Sequence, residues 1–151
     1  MKTNIATTKE QSAHLLRCGV SADTADMSWA VLSDETEVLT AIPNLAQSEV
    51  INYPAWSLSA LLGLLPKEIY IDGYKYRISI YFESPDEPVI GNQWCLYYKP
   101  KKHNEKSRID DVPMYAPDLI ECSILMIEWL AANGYKLHDP DRPCRKKGGE
   151  E

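Results

Sequence analysis

The chain has 151 residues and a formal net charge of −6, the size of one ordinary domain. Apolar residues make up 44% and charged residues 25%, which excludes a disordered chain and allows a core without staples. The longest apolar run, Ala60–Leu65, is six residues, far short of the roughly 20 that a membrane helix needs. Residues 1–20 carry Lys2, Lys9, Glu10 and Arg17 where a signal peptide would hold its apolar stretch.

Cysteine usage and charge narrow the setting. Cys18, Cys95, Cys122 and Cys144 stand far apart and form no C-x-x-C pair, so neither a disulfide framework nor a paired metal motif is indicated. Three of them read as reduced core residues; Cys144 falls in a polar tail. A soluble cytoplasmic domain with no membrane association is expected. The first 98 residues carry six basic and twelve acidic side chains, and the remainder carries ten of each. That balance argues against the whole surface being a nucleic-acid footprint.

In chain order, Thr8-Lys9-Glu10-Gln11 is a capping box, in which the threonine hydroxyl and the glutamine amide satisfy reciprocal backbone N–H groups. It predicts a helix over about 9–18, stopped at Gly19. Ser21 to Asp26 reads as a short turn. Trp29, Val31, Val38, Leu39 and Ile42 suggest one or two strands in 27–42, around an acidic turn at Asp34–Glu37. Ser57 is a favourable N-cap. Leu58, Leu61, Leu62 and Leu65 then form one helical stripe, so a helix is expected over about 57–65, ended by Pro66.

Asp72-Gly73 is the strongest local signal, a two-residue turn of type I′. It joins strands at about 69–72 and 74–83 and sets Ile71 opposite Tyr74 and Ile69 opposite Tyr76. Alternation then puts Ile69, Ile71, Tyr74, Tyr76, Ile78, Ile80 and Phe82 inward, and Tyr70, Lys75, Arg77, Ser79 and Tyr81 outward. Ser84 to Pro88 is a loop. A third strand is expected over about 93–98, with Trp94, Leu96 and Tyr98 inward and Cys95 and Tyr97 outward. Lys99 to Asp111 reads as a polar excursion. Ala116-Pro117-Asp118 reads as the start of a helix over about 117–132, closed by Asn133-Gly134. Its inward residues would be Leu119, Ile120, Ser123, Ile124, Ile127, Leu130 and Ala131.

The expected fold is α+β: an antiparallel meander with one face covered by the two later helices, and the N-terminal helix beside it. Residues 1–137 form one domain, and 138–151 read as a disordered charged tail.

Tyr53-Pro54-Ala55-Trp56-Ser57-Leu58-Ser59-Ala60-Leu61-Leu62, ending Leu64-Leu65-Pro66, resembles a motif in an uncharacterised group of small proteins. These occur in prophages and mobile elements of gut Bacteroidetes. Gln11 with Leu15-Leu16, Thr24-Ala25-Asp26-Met27, Trp94 to Tyr97 and Met126 to Tyr135 extend the similarity over most of residues 8–135. The resemblance implies a mobile-element accessory protein; the group has no assigned activity and supplies no catalytic residues.

Candidate sites are few. Trp56 before a helix could anchor a partner, but a large aromatic beside an N-cap is more simply a core plug. The outward residues Tyr70, Tyr81 and Tyr97 with Lys75 and Arg77 suit a protein partner or self-association, because exposed tyrosine and arginine favour interfaces. The same face, with Lys99, Lys101, Lys102, Lys106 and Arg108, could stack and neutralise single-stranded nucleic acid. Tyrosines with high strand propensity and a solvated basic loop would look alike.

No catalytic residue, metal site or cofactor is expected. There is no G-x-S-x-G elbow, and Gly totals 7 with no phosphate cradle. His138 to Cys144 holds four potential ligands in seven residues, but its two prolines and lack of a second ligand pair oppose a tetrahedral site. The acidic clusters Asp34–Glu37 and Asp110-Asp111 read as turns. An enzyme would need distant residues such as His14, Asp26, Glu121 or Cys122 to converge in one pocket.

Overall fold

The computed structural model describes residues 4–41, 51–83, 93–100 and 112–138, and it is α+β with two antiparallel sheets. Helix α1 spans Lys9–Arg17. Its capping box is made as the sequence predicts, with Gln11 N donating to Thr8 Oγ1 at 3.2 Å and Thr8 N donating to Gln11 Oε1 at 2.9 Å. A 3-10 turn at Ala22–Thr24 follows.

Strands β1 (Met27–Val31) and β2 (Glu37–Thr40) form the hairpin expected in 27–42. They do not extend the meander. A further strand, β3 (Ile51–Ala55), pairs with β1 to make a separate three-stranded sheet in the order β2-β1-β3. β3 went unrecognised because Pro54 reads as a breaker. A proline is tolerated on an edge strand, and β3 is an edge.

Helix α2 spans Leu58–Leu64, with Ser57 as its N-cap. Strands β4 (Glu68–Ile71) and β5 (Tyr74–Glu83) follow in the predicted register, Ile71 opposite Tyr74 and Ile69 opposite Tyr76. Asp72 and Gly73 both take positive φ, 49° and 83°, as a type I′ turn demands. β6 (Gln93–Pro100) continues the meander, and β7 (Val112–Ala116) adds a fourth strand on its far edge.

β7 corrects the expected start of the last helix. Ala116 ends the strand, Pro117 lies outside the helix, and α3 spans Leu119–Ala132. Asp118 is its N-cap, in extended backbone, and its carboxylate accepts from Ile120 N at 2.6 Å and Glu121 N at 3.4 Å. The helix buries Cys122 and Met126 as well as the predicted Ile120, Ser123, Ile124, Ile127 and Leu130. Leu119 and Ala131 are half-buried.

One core joins α1, α2, α3 and the inner face of the four-stranded sheet through Leu15, Trp56, Leu61, Tyr76, Leu96, Tyr98 and Ile127. Tyr98 is affordable there because its hydroxyl donates to Pro66 O at 2.7 Å. Burial pushes that phenol well above its ordinary range. The predicted inward stripe of β5 is covered only at one end. Tyr76 is buried, whereas Ile80 is 40% and Phe82 49% exposed.

Trp56 is fully buried and is withdrawn as an interaction residue. It closes a clasp: Thr7 N donates to Trp56 O at 2.9 Å, Trp56 N to Thr7 Oγ1 at 3.0 Å, and Trp56 Nε1 to Thr24 Oγ1 at 2.9 Å. Next to it, Ser57 N and Ser57 Oγ both donate to the Asp26 carboxylate, at 2.8 and 2.5 Å. The motif Pro54-Ala55-Trp56-Ser57 thus ties the N-terminal segment and the 3-10 turn to the start of α2. Asp26→Ala is expected to lower stability by about 1–2 kcal/mol, the worth of hydrogen bonds to an ionised acceptor, seen as a lower urea midpoint at unchanged m-value.

Candidate interaction face

The outer face of the four-stranded sheet is built by alternation along β4 to β7. Register sets its side chains in rows across the strands. Tyr70 stands opposite Lys75; Glu68, Arg77 and Lys99 share a row. Ser79, Tyr97 and Pro113 form the next, and Tyr81, Cys95 and Tyr115 the one after. The helices α2 and α3 pack on the other side, so among the described residues no helix covers these rows.

Three tyrosines gather at one end. The rings of Tyr81 and Tyr97 meet edge to face with centroids 5.3 Å apart, a favoured aromatic geometry. The Tyr81 and Tyr115 hydroxyls lie 3.5 Å apart. Between these two, in the same row, is Cys95, only 1% exposed. Its predicted outward direction holds, but the neighbouring tyrosines roof it over. Hydrogen bonding to Tyr115 and Cys95 pushes the Tyr81 phenol far above its ordinary range; it stays a neutral donor and acceptor at physiological pH.

At the other end Tyr70 is 59% exposed. Lys75 lies 5.8 Å from the centre of its ring and 3.0 Å from Glu68 Oε2. The Glu68 carboxylate raises the Lys75 pKa and also receives Arg77 at 3.5 Å. Arg77 and Lys99, directly opposite each other, are like charges side by side, normally a small cost.

The predicted surface is therefore brought together in part. Tyr70 and Tyr81 are exposed and Tyr97 is half-buried on one face with Lys75, Arg77 and Lys99. Lys101, Lys102, Lys106 and Arg108, like the loop 84–88, Asp110-Asp111 and the tail from Asp139, lie outside the described residues. Tyr115 was missed, because Pro113 hid the strand that carries it. The alternation of Pro113 and Tyr115 against Met114 and Ala116 was its only trace.

The residues named for a catalytic convergence each have local surroundings of their own. Asp26 is held by Ser57, and Glu121 is exposed on α3. His14 Nε2 faces both Cys18 Sγ at 3.8 Å and Glu128 Oε2 at 3.3 Å. A nucleophile–base–carboxylate relay needs the two partners on opposite ring nitrogens, so this geometry does not serve one. Burial first, and the Glu128 carboxylate second, push the Cys18 thiol up, away from the reactive thiolate. Among the described residues no group of three His, Cys, Asp or Glu side chains suits a metal ion.

Cys122 is buried and donates to Trp94 O at 3.3 Å. Desolvation pushes its pKa to about 11 from an ordinary 9.0. Between those values the native thiol keeps a proton that the unfolded chain has lost, so stability falls as pH rises through that window. Urea titrations from pH 8 to 11 are expected to show this decline, with a shallower slope for Cys122→Ala.

No helix of the described residues is long and apolar enough to cross a membrane. Comparison with protein-family models, with curated proteins and with solved structures finds no match for this chain.

Proposed function

We propose that this chain is a non-catalytic accessory module of a mobile element, acting in the cytoplasm, that docks a partner protein on the outer face of its four-stranded sheet. The observation that carries the reading is the cluster of Tyr81, Tyr97 and Tyr115 on a face that no helix of the described residues covers. Three large amphipathic rings held against one another lose little entropy on binding, the property that makes tyrosine an interface anchor. The mobile-element setting rests on the Tyr53–Leu62 resemblance. The cytoplasmic setting draws support from three free thiols, Cys18, Cys95 and Cys122, which suit a reducing compartment.

The test is affinity capture from host lysate with and without nuclease, comparing the wild type with a Tyr81→Ala/Tyr115→Ala variant. A protein recovered under both nuclease conditions by the wild type, and lost by the variant, supports the reading. Capture that the variant retains moves the partner elsewhere. A second copy recovered in place of a foreign protein would assign the face to self-association.

The adjacent like charges Arg77 and Lys99 favour one other reading, single-stranded nucleic acid laid over the tyrosines. It requires binding of a mixed oligonucleotide that weakens steeply with salt as counterions are released. Binding that is absent at low ionic strength would end it.

A further inference from the structure

The β4 edge and inner side of the same sheet carry a second surface, which meets the outer face only at Glu68 and Arg77. β4 pairs only with the first four residues of β5, Tyr74 to Arg77. One more bond, Ile78 N donating to Lys67 O at 3.1 Å, ends the ladder before Pro66 turns the chain away. In an antiparallel sheet the main-chain groups of alternate residues point to the same neighbour. Ile78 points to the β4 side, so Ile80 and Phe82 do too. Past Lys67, no described residue pairs with their N–H and C=O groups. Their side chains, on the inner face, are the exposed end of the apolar stripe.

A cavity of about 890 Å³ opens at this edge, walled by Leu62, Gly63, Leu65, Pro66, Ile78 and Ile80. Among the described residues its rim holds the cations Lys67 and Arg77, with His138, against one carboxylate, Glu68, and that carboxylate is already in contact with Lys75 and Arg77. Gly63 has ordinary helical backbone, and a Cβ built on it meets nothing within 4 Å.

We propose that this edge binds an extended segment of a partner protein as an added strand. The segment carries apolar side chains at alternate positions and at least one acidic residue. The donors and acceptors of Ile80 and Phe82, which no described residue pairs, specify main chain in extended form; the cavity takes every second side chain, and the cationic rim takes the acid. A symmetric pairing of β5 with its own copy meets the same edge and brings an acid of its own, Glu83, so a second copy is the competing occupant that concentration dependence separates.

The test uses the full chain and a phage-displayed library of random nonapeptides, followed by titration of the selected peptides. Enriched peptides should alternate apolar residues and include Asp or Glu. N-methylation of alternate peptide amides, Ile80→Glu and Gly63→Leu should each weaken binding at least about tenfold. Gly63→Leu is the safeguard against misfolding, since it gains helix propensity and fills only the cavity. Tyr81→Ala/Tyr115→Ala should leave peptide affinity within about twofold, which separates this surface from the tyrosine face. Amide hydrogen exchange should show Ile80 and Phe82 exchanging quickly alone and slowly with peptide. Lack of enrichment, or peptides whose binding survives Ile80→Glu and Gly63→Leu, would overturn the proposal. So would protection of these two amides in the isolated chain, whether fixed (a segment of the chain itself) or growing with protein concentration (a second copy).

Discussion

Trp56→Ala is expected to lower stability by about 3–5 kcal/mol, the range for emptying a fully buried aromatic position. For a domain of this size that is a large share of the total, which rarely exceeds about 15 kcal/mol. The loss has two physical parts. The indole packs in the core among α1, α2 and α3, so its removal leaves a cavity. Its Nε1 also donates to Thr24 Oγ1, and truncation leaves that part-buried link unmade. Trp56→Phe separates the two, keeping most of the ring volume and losing the hydrogen bond. Urea denaturation should therefore rank wild type above Trp56→Phe, and Trp56→Phe well above Trp56→Ala. A Trp56→Ala midpoint within experimental error of wild type would contradict the core role.

The second large effect concerns binding. If Tyr81 and Tyr115 are the anchors of the proposed interface, removing either should weaken the partner by about 2 kcal/mol, or roughly thirtyfold. The two touch, so the double variant need not lose the sum. Stability should change far less than for Trp56→Ala, because both rings are exposed. The double variant has a structural readout as well. Cys95 is roofed by these rings, so its thiol should react with a disulfide reagent in Tyr81→Ala/Tyr115→Ala and resist it in the wild type. Partner binding to the wild type should leave Cys95 protected, and a partner that does not touch this face should leave the variant's thiol reactive.

The hairpin at Asp72-Gly73 and the capping box at Thr8 were legible because local chemistry alone decides them. A type I′ turn fixes register, and reciprocal caps fix a helix start, whatever surrounds them. The two strands that escaped, β3 and β7, both contain a proline. Pro54 and Pro113 lie on sheet edges, where a missing N–H costs nothing, and edge position is a property of the whole sheet that local patterning does not carry. That single blind spot hid Tyr115, and with it the cluster that gives the face its character. Cys95 shows a related limit. Alternation gives the direction of a side chain but not what its cross-strand neighbours lay over it. The same holds for Ile80 and Phe82, whose inward direction was right and whose cover stops short of them.

Trp56 offered a choice between anchor and plug that the sequence left to residues far away. Thr7 and Thr24 make the decision, and neither separation carries a periodic signal.

The open tyrosine face is the proposed docking site for a partner protein. Hydrogen exchange of the full chain with and without the captured partner tests it most directly, read at the amides of β5, β6 and β7. Slowed exchange is expected at the edge amides of β7, beside Tyr115, together with protection of Tyr81, Tyr97 and Tyr115 from nitration. A tight complex in which those three tyrosines remain as reactive as in the isolated chain would contradict it.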